Sequence, residues 1–273
     1  MNPFLFDLLR GLRARGVLLL IGLTTGLALT VLLLGLGALS SSGATSRNVS
    51  GFVVNAMGAI YGFFVPVLGI VAAYETYGRD RVTGVLESVL CRPVTRTELI
   101  LSRFLALVLA SAIAVLLALG LVDLVLYVET TDTIAAGAFV ALFAALLVEA
   151  AAFGGLVFLF SHLFRSTGAL QGTAVIAFVV FSIIWYILVI VTILATGLNN
   201  PYGALSDMVL ADYFNPAQYA LLVTAYVEQS FFFGLVPVAS SKVGLTAGGI
   251  VVSGALWSVL PFLGAAYLAR KRD

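Results

Sequence analysis

Six long apolar blocks, at 17–39, 52–73, 99–122, 134–160, 169–195 and 248–269, decide what this chain can fold into. A helix needs about 20 apolar residues to cross the hydrocarbon core of a bilayer, and each block meets that length. Backbone groups in lipid must be satisfied within the spanning element, so only helices or a closed barrel can cross. A barrel would show roughly ten-residue strands alternating apolar and polar. The uninterrupted blocks exclude that pattern. Composition agrees: 62% of the 273 residues are hydrophobic and 10% charged, against about 45–50% and about 25% in soluble domains. The expected fold is an all-α integral membrane protein of six transmembrane helices, with 1–273 forming a single transmembrane domain.

The segments between the blocks are informative by charge. Residues 1–16, MNPFLFDLLRGLRARG, gather Phe4, Leu5, Leu8, Leu9 and Leu12 on one helical face, away from Asp7, Arg10 and Arg13. This reads as an amphipathic helix lying on the membrane surface. The first block is too long for the apolar core of a secretory signal, which spans about 7–15 residues, and is read as an uncleaved span. With the N-terminus inside, the inner pieces 1–16, 74–98, 161–168 and 270–273 hold Arg10, Arg13, Arg15, Arg79, Arg81, Arg92, Arg96, Arg165, Arg270, Lys271 and Arg272. Arg103 sits just within the third span near the same face. The outer pieces hold only Arg47 and Lys242. Such an excess of basic residues marks the cytoplasmic side, so both termini are expected in the cytoplasm of a multi-pass protein of the cell membrane. Asp123, Glu129, Asp132, Asp207, Asp212 and Glu228 fall to the outer side.

The outer segment 196–247 contains a further apolar stretch, 217–238. A seventh span there would carry Arg270, Lys271 and Arg272 to the outside. An outer re-entrant or interfacial helix pair is favoured, because the turn signals Asn199-Asn200-Pro201-Tyr202-Gly203 and Asn215-Pro216 break the segment. Tyr213, Phe214, Tyr219, Tyr226, Phe231, Phe232 and Phe233 crowd this side. They suit an interfacial aromatic belt or an outer hydrophobic gate.

Several chemistries are excluded. Cys91 is the only cysteine and His162 the only histidine, so no intramolecular disulfide and no Cys- or His-based metal cluster can form within one chain. His162, at a span end beside Arg165, suits a structural role. No G-x-x-x-x-G-K-[ST] phosphate loop exists, and no nucleophile–base pair lies deep in a span. The chain is not expected to be an enzyme or to bind a cofactor itself. A net charge of +1 gives no attraction to nucleic acid.

Glu149 stands out, mid-span in LLVEAAAFGG. A charge there costs several kcal/mol unless paired or wet. The adjoining Ala150, Ala151, Ala152, Gly154 and Gly155 would let another helix approach closely. Two readings stay open: a pathway or proton-linked residue, or a hydrogen-bonded packing residue at an interface.

The most charged stretch is 75–104, ETYGRDRVTGVLESVLCRPVTRTELILSRF. It reads as two short helices joined by a break at Arg92-Pro93, since Pro93 lacks an N–H and disfavours helix at the residue before it. Thr95 then caps the second helix, with Glu98 three residues on completing a capping box.

This stretch resembles the ABC-2 type permeases of ABC transporters. Their pattern of an acidic residue, Arg, Gly-Thr-Leu-Glu, Leu-Leu-Ser-x-Pro-Val-Ser-Arg and an apolar helix is matched by Glu75, Arg79, Arg81, Gly84, Leu86, Glu87, Leu90, Pro93, Val94 and Arg96. Thr95 replaces Ser, Cys91 takes the small-residue place, Arg103 stands for a Lys, and Val85 departs from the usual Thr. Ser161-His162-Leu163-Phe164-Arg165-Ser166 is similar to a turn of NosY-like members.

The resemblance implies a permease subunit of an ATP-driven exporter. It implies partnership with two copies of an ATP-binding subunit, on which ATP and Mg would reside. It also implies a second permease half, as homodimer or heterodimer, and admits an accessory extracytoplasmic subunit. The segment 74–98 would then be a cytoplasmic coupling hairpin, with Glu75, Arg79, Gly84, Glu87, Arg92, Pro93 and Arg96 as its contact residues. A charged loop that merely anchors helix ends is the plainer alternative. A non-transporting scaffold or sensor, or a secondary carrier, would also place such helices in a membrane, although the internal repeats and broken mid-span helices of carriers are not evident. Few internal charges and short outer loops suggest an apolar or amphipathic cargo.

The topology is directly testable. A cysteine introduced at Asp273 will resist an impermeant thiol reagent added to intact cells, while one at Asp207 will react; labelling at 273 would favour seven spans.

Overall fold

The structure, a computed structural model, describes residues 15–42, 46–86, 95–196, 201–233 and 236–271. Apart from its last two residues, the surface helix expected over 1–16 lies outside them. Helix α1 runs Arg15–Ser42 and α2 runs Ser46–Ala73, continuing through a π-helical turn, Tyr74–Gly78, into the short α3, Arg79–Val82. Then come α4 (Arg96–Thr130), α5 (Ala136–Leu163) and α6 (Thr167–Val179). A second π-helical turn, Val180–Ile184, leads into α7 (Trp185–Thr196). The last helices are α8 (Pro201–Asp212), α9 (Tyr219–Val227) and α10 (Ala247–Lys271). Among the described residues, six helical rods are long and apolar enough to cross a membrane: Gly16–Leu36, Gly51–Val82, Thr97–Thr130, Ala136–Leu163, Thr167–Thr192 and Ala247–Lys271. The all-α membrane class expected from sequence is what the chain adopts.

Successive rods alternate in direction, so one end of the bundle gathers Arg79, Arg81, Arg103, Arg165, Arg270 and Lys271, and is called here the basic end. Local chemistry sets the helix limits. Glu98 N–H donates to Thr95 Oγ1 at 3.3 Å and Thr95 N–H to Glu98 Oε2 at 3.1 Å, completing the expected capping box that starts α4. At the other end of α4, Thr131 turns into the left-handed region (φ 61°), and Asp123 Oδ1 accepts from Ile134 N–H at 2.7 Å to close the link to α5.

Helix α5 is the axis of the bundle, with 67% of its most apolar window buried against 11% for the α6–α7 rod. Helices in lipid gain little from hydrophobic exclusion and associate through close packing, so small residues gather where backbones meet. A Cβ added to Gly69 would stand 2.6 Å from the Ala150 carbonyl oxygen, so α2 and α5 touch backbone to backbone. Gly154 receives Leu107 of α4, and Gly155 lies against Pro261 of α10. Ala150, Gly154 and Gly155 thus do what their small side chains predict. Aromatic rings fill the remaining volume, with Tyr77 stacked on Phe158 at 4.3 Å and Phe104 on Phe262 at 4.5 Å.

The segment before the last span is re-entrant. Helix α8 leads inward and α9 leads back, joined by a tip with a 3-10 turn at Pro216–Gln218. The tip is pinned in the bundle: Asn215 Nδ2 donates to the Phe181 carbonyl at 2.8 Å, and Tyr219 Oη to the Ile250 carbonyl at 3.2 Å. Ser253 Oγ donates to the Tyr213 carbonyl at 2.6 Å. Asp212, which sequence placed among outer charges, is buried at this tip, at 2% exposure. The sequence reading did not anticipate one element. After α9 the backbone forms an antiparallel ribbon, Ser230–Phe233 paired with Val236–Ala239 in the register Ser230 to Ala239. The aromatic and β-branched run suits a strand, and Pro237 is tolerated because a two-stranded ribbon leaves an edge free.

The α2–α5 contact gives a stability prediction. Gly69→Ala will force the two backbones apart and destabilise the bundle by about 1–3 kcal/mol, the usual cost of overpacking. Gly22→Ala, where an added Cβ meets nothing within 4 Å, will not. Thermal unfolding in detergent micelles measures both.

Candidate functional site

Two polar constellations interrupt the apolar bundle. The first is at the basic end, where α2 passes through its π-helical turn. A π-turn inserts one residue into the helical ladder and often marks a functional position. Here it rotates Thr76, Tyr77 and Asp80 onto the buried face, leaving Glu75 and Arg79 toward the outside. Arg103 of α4 reaches across and donates through Nη1 to Asp80 Oδ2 at 2.9 Å and to the Thr76 carbonyl at 2.7 Å. The pair is nearly dry, with side-chain exposures of 6% and 8%. Buried ion pairs of this kind are costly to break on one side only, because the survivor stays desolvated. Beside it, Tyr77 Oη and His162 Nε2 lie 2.9 Å apart, joining the same turn to α5. The turn is therefore fastened to two spans at once.

The sequence-derived coupling residues divide around this turn. Glu75 and Arg79 pair loosely at 3.9 Å, partly exposed, an arrangement worth little energy. Gly84 follows α3 with φ +78°, a conformation that favours glycine, and Leu86 two residues on is buried in the core. Arg96 begins α4 directly after the capping residue Thr95. Glu87, Arg92 and Pro93 lie outside the described residues. Sequence reasoning missed Thr76, Tyr77 and Asp80. The available signal was Arg103: a guanidinium within an apolar span needs a partner, and Asp80 is the nearest acidic residue in the preceding charged stretch that shares a helical face with Thr76 and Tyr77.

The second constellation centres on Glu149, midway along α5 and fully buried. Its Oε1 accepts the main-chain N–H of Ala220 at 2.7 Å, while Oε2 has no hydrogen-bond partner. Ala220 is the second residue of α9, whose first N–H groups lack intrahelical acceptors. A carboxyl oxygen at a helix N-terminus satisfies such a donor. Glu149 therefore holds the returning arm of the re-entrant hairpin inside the bundle. Glycines make the approach feasible. A Cβ at Gly62 of α2 would stand 3.7 Å from both carboxylate oxygens and 3.5 Å from Ala220 Cβ, and one at Gly58 would meet Thr224 at 3.0 Å.

Directly beside this anchor is a cleft of about 330 Å³. One wall is α2 at Gly58, Ala59, Gly62 and Phe63. The second π-turn and the start of α7 contribute Ser182 and Tyr186, and the re-entrant tip contributes Ala217, Gln218 and Leu221. None of these carries a charge. Among the described residues, no group of three His, Cys, Asp or Glu side chains is placed to hold a metal ion.

The bundle is thus a multi-pass membrane domain with a fastened, charge-rich turn at one end and a pinned re-entrant hairpin entering from the other. A family model described as ABC-2 family transporter protein matches residues 6–273, and the chain belongs to that family. No curated protein matches the sequence significantly.

The Glu149 anchor predicts a graded response. Glu149→Gln keeps a carbonyl oxygen for Ala220 N–H and will unfold near the native temperature. Glu149→Leu strands that donor in an apolar interior and will cost about 1–3 kcal/mol, read as a lowered midpoint of thermal unfolding in nanodiscs.

Proposed function

We propose that this chain is the membrane half of an ATP-driven exporter in the cell membrane. Two such halves, identical or related, enclose the pathway, and two ATP-binding subunits on the basic, cytoplasmic side supply the energy from ATP and Mg. Both chain termini lie on that side, in keeping with the distribution of basic residues. An accessory extracytoplasmic subunit is compatible with the arrangement.

The observation that carries this reading, beyond family membership, is the π-turn at Tyr74–Gly78. Closure of ATP-binding subunits would reach the spans through a mechanical contact, because the sequence carries no G-x-x-x-x-G-K-[ST] phosphate loop. A flexible loop would absorb such a push. Here the charged segment begins at a turn locked to α4 by Asp80–Arg103 and to α5 by Tyr77–His162. On the far side of the charged segment, the capping box fixes where α4 begins. A displacement of residues 83–95 is therefore delivered to both α2 and α4. In this reading Glu75, Arg79, Glu87, Arg92 and Arg96 contact the groove of the ATP-binding subunit, and Gly84 and Pro93 set the angles of the hairpin.

Desolvated charges at such an interface are expensive to mismatch, whereas charges away from it matter little. Glu87→Arg will lower subunit assembly or substrate-stimulated ATPase activity at least several-fold, while Arg47→Glu on the opposite face will leave both near native. The measurements are stoichiometry of the ATP-binding subunit after salt washing and ATPase rate in nanodiscs. Native assembly and stimulation in both Glu87→Arg and Arg96→Glu would remove 74–98 as the coupling element.

A further inference from the structure

We infer that the Asp212 carboxyl, at the inner end of α8, is a proton-binding site that keeps the re-entrant hairpin seated in the bundle while protonated and loosens it once the proton leaves. The inference rests on the permease reading for its meaning, since the hairpin then lies beside a transport pathway, but not for its geometry.

Asp212 closes α8 and opens the tip. Its carbonyl accepts Asn215 N–H at 3.0 Å, and Asn215 in turn reaches the Phe181 carbonyl in the second π-turn. On the other side, the carbonyl of the next residue, Tyr213, accepts from Ser253 of α10. These pins are uncharged, and the Asp212 carboxyl takes part in none of them. It is buried, and among the described residues it forms no ion pair. Its Oδ2 has no hydrogen-bond partner. The Trp185 indole N–H, at the start of α7, turns toward the carboxyl, yet Nε1 also lacks a partner within hydrogen-bond distance. Trp185 belongs to an aromatic cluster with Phe181 and, through that ring, Trp257. A charge in such surroundings is costly without a counter-ion, whereas the neutral acid is tolerated.

Burial pushes the carboxyl up from the ordinary 3.8 to about 7, and the Trp185 indole holds that rise back. The elements packed around the tip carry few other titratable groups. These are Tyr186 on α7, Lys242 on the 3-10 turn Ser240–Val243, Tyr219 and Tyr226 on α9, and, past Tyr219, Glu149 on α5; Tyr213 adjoins Asp212 in sequence. The charged residues of α10, Arg270 and Lys271, stand at its far end. Burial and Trp185 account for the shift without them. The sign follows from where the proton is held more tightly. The seated carboxyl binds it more tightly than one withdrawn into water, so protonation favours seating. Seating is strongest below pH 3.8, weakens as pH rises and levels off above about 7. The hairpin enters from the end opposite the basic one, so its route to water is withdrawal toward that side.

Amide hydrogen exchange of the full chain in phosphatidylcholine nanodiscs reads the seating locally. After correction for intrinsic exchange, protection of residues 213–227 will fall about tenfold for each pH unit between about pH 5 and 7. Protection of residues 145–155 in α5 will stay level. Asp212→Asn, a neutral isostere of the acid, will hold protection of the hairpin high and flat across this range. Trp185→Phe, which removes the indole N–H, will move the fall to higher pH. Glu149→Gln will leave the fall in place. Protection indifferent to pH in the native chain, a fall that survives Asp212→Asn, or an equal fall across α5 overturns the proposal. Should Asp212→Asn not be monodisperse, infrared difference spectra of the native chain decide. A protonated-carboxyl stretch that titrates near pH 7 and persists in Glu149→Gln supports Asp212 as the site; its absence, or its loss in Glu149→Gln, overturns it. No ATP-binding subunit enters the measurement, so its failure leaves the permease reading standing.

Discussion

The backbone contact of α2 with α5 at Gly69 and Ala150 is the constraint on which the rest of the bundle depends. In lipid, helices cohere only as closely as their surfaces allow. Because α5 carries Ala150, Ala151, Ala152, Gly154 and Gly155, three other spans meet it at short range: α2 through Gly69, α4 through Leu107 and α10 through Pro261. The same closeness brings Gly62 beside Glu149 and lets α9 reach the carboxylate. Bulky side chains along that run would separate the helices and leave the acid without its partner.

Within this frame, polar groups act as fasteners rather than as reactive centres. Each joins elements distant in sequence: Asp80 with Arg103, Tyr77 with His162, Asn215 with Phe181, Glu149 with Ala220. A hydrogen bond inside an apolar bundle has no competing water, so its partners have little incentive to separate. The basic-end pair binds the charged segment to the spans, and the mid-bundle pair binds the re-entrant hairpin to the axis. Helix α5 contributes to both through His162 and Glu149, which lie on the same rod.

The six spans were legible because length and hydropathy are one-dimensional properties, and the capping box at Thr95 and Glu98 was legible because both partners lie within one turn. Glu149 could be recognised as anomalous from its apolar neighbours. Its partner could not, because that partner is a main-chain amide 71 positions away and leaves no mark in side-chain chemistry. Asp80 is obscured by company: it sits among Glu75, Arg79 and Arg81, and only the π-turn sorts those charges into one buried, one exposed and two partly buried. The ribbon at 230–239 was read as part of an apolar helical stretch, since Phe-rich runs of this length suit either state. The coupling residues Glu87, Arg92 and Pro93 were legible only as a family pattern, and their geometry lies outside the described residues.

The anchor of α9 is made to a peptide N–H, not to a side chain. This separates two tasks that proteins often load onto the same residues. Glu149 recognises the existence of a helix start and is indifferent to most of what that helix displays. Gln218 and Leu221, on the same tip, take no part in that bond; position 220 must stay small and able to donate, while Asn215, Tyr219 and Thr224 carry the other contacts of the tip. A substitution at Gln218 or Leu221 therefore leaves the support beneath it, a carboxyl oxygen on a main-chain amide, chemically unchanged.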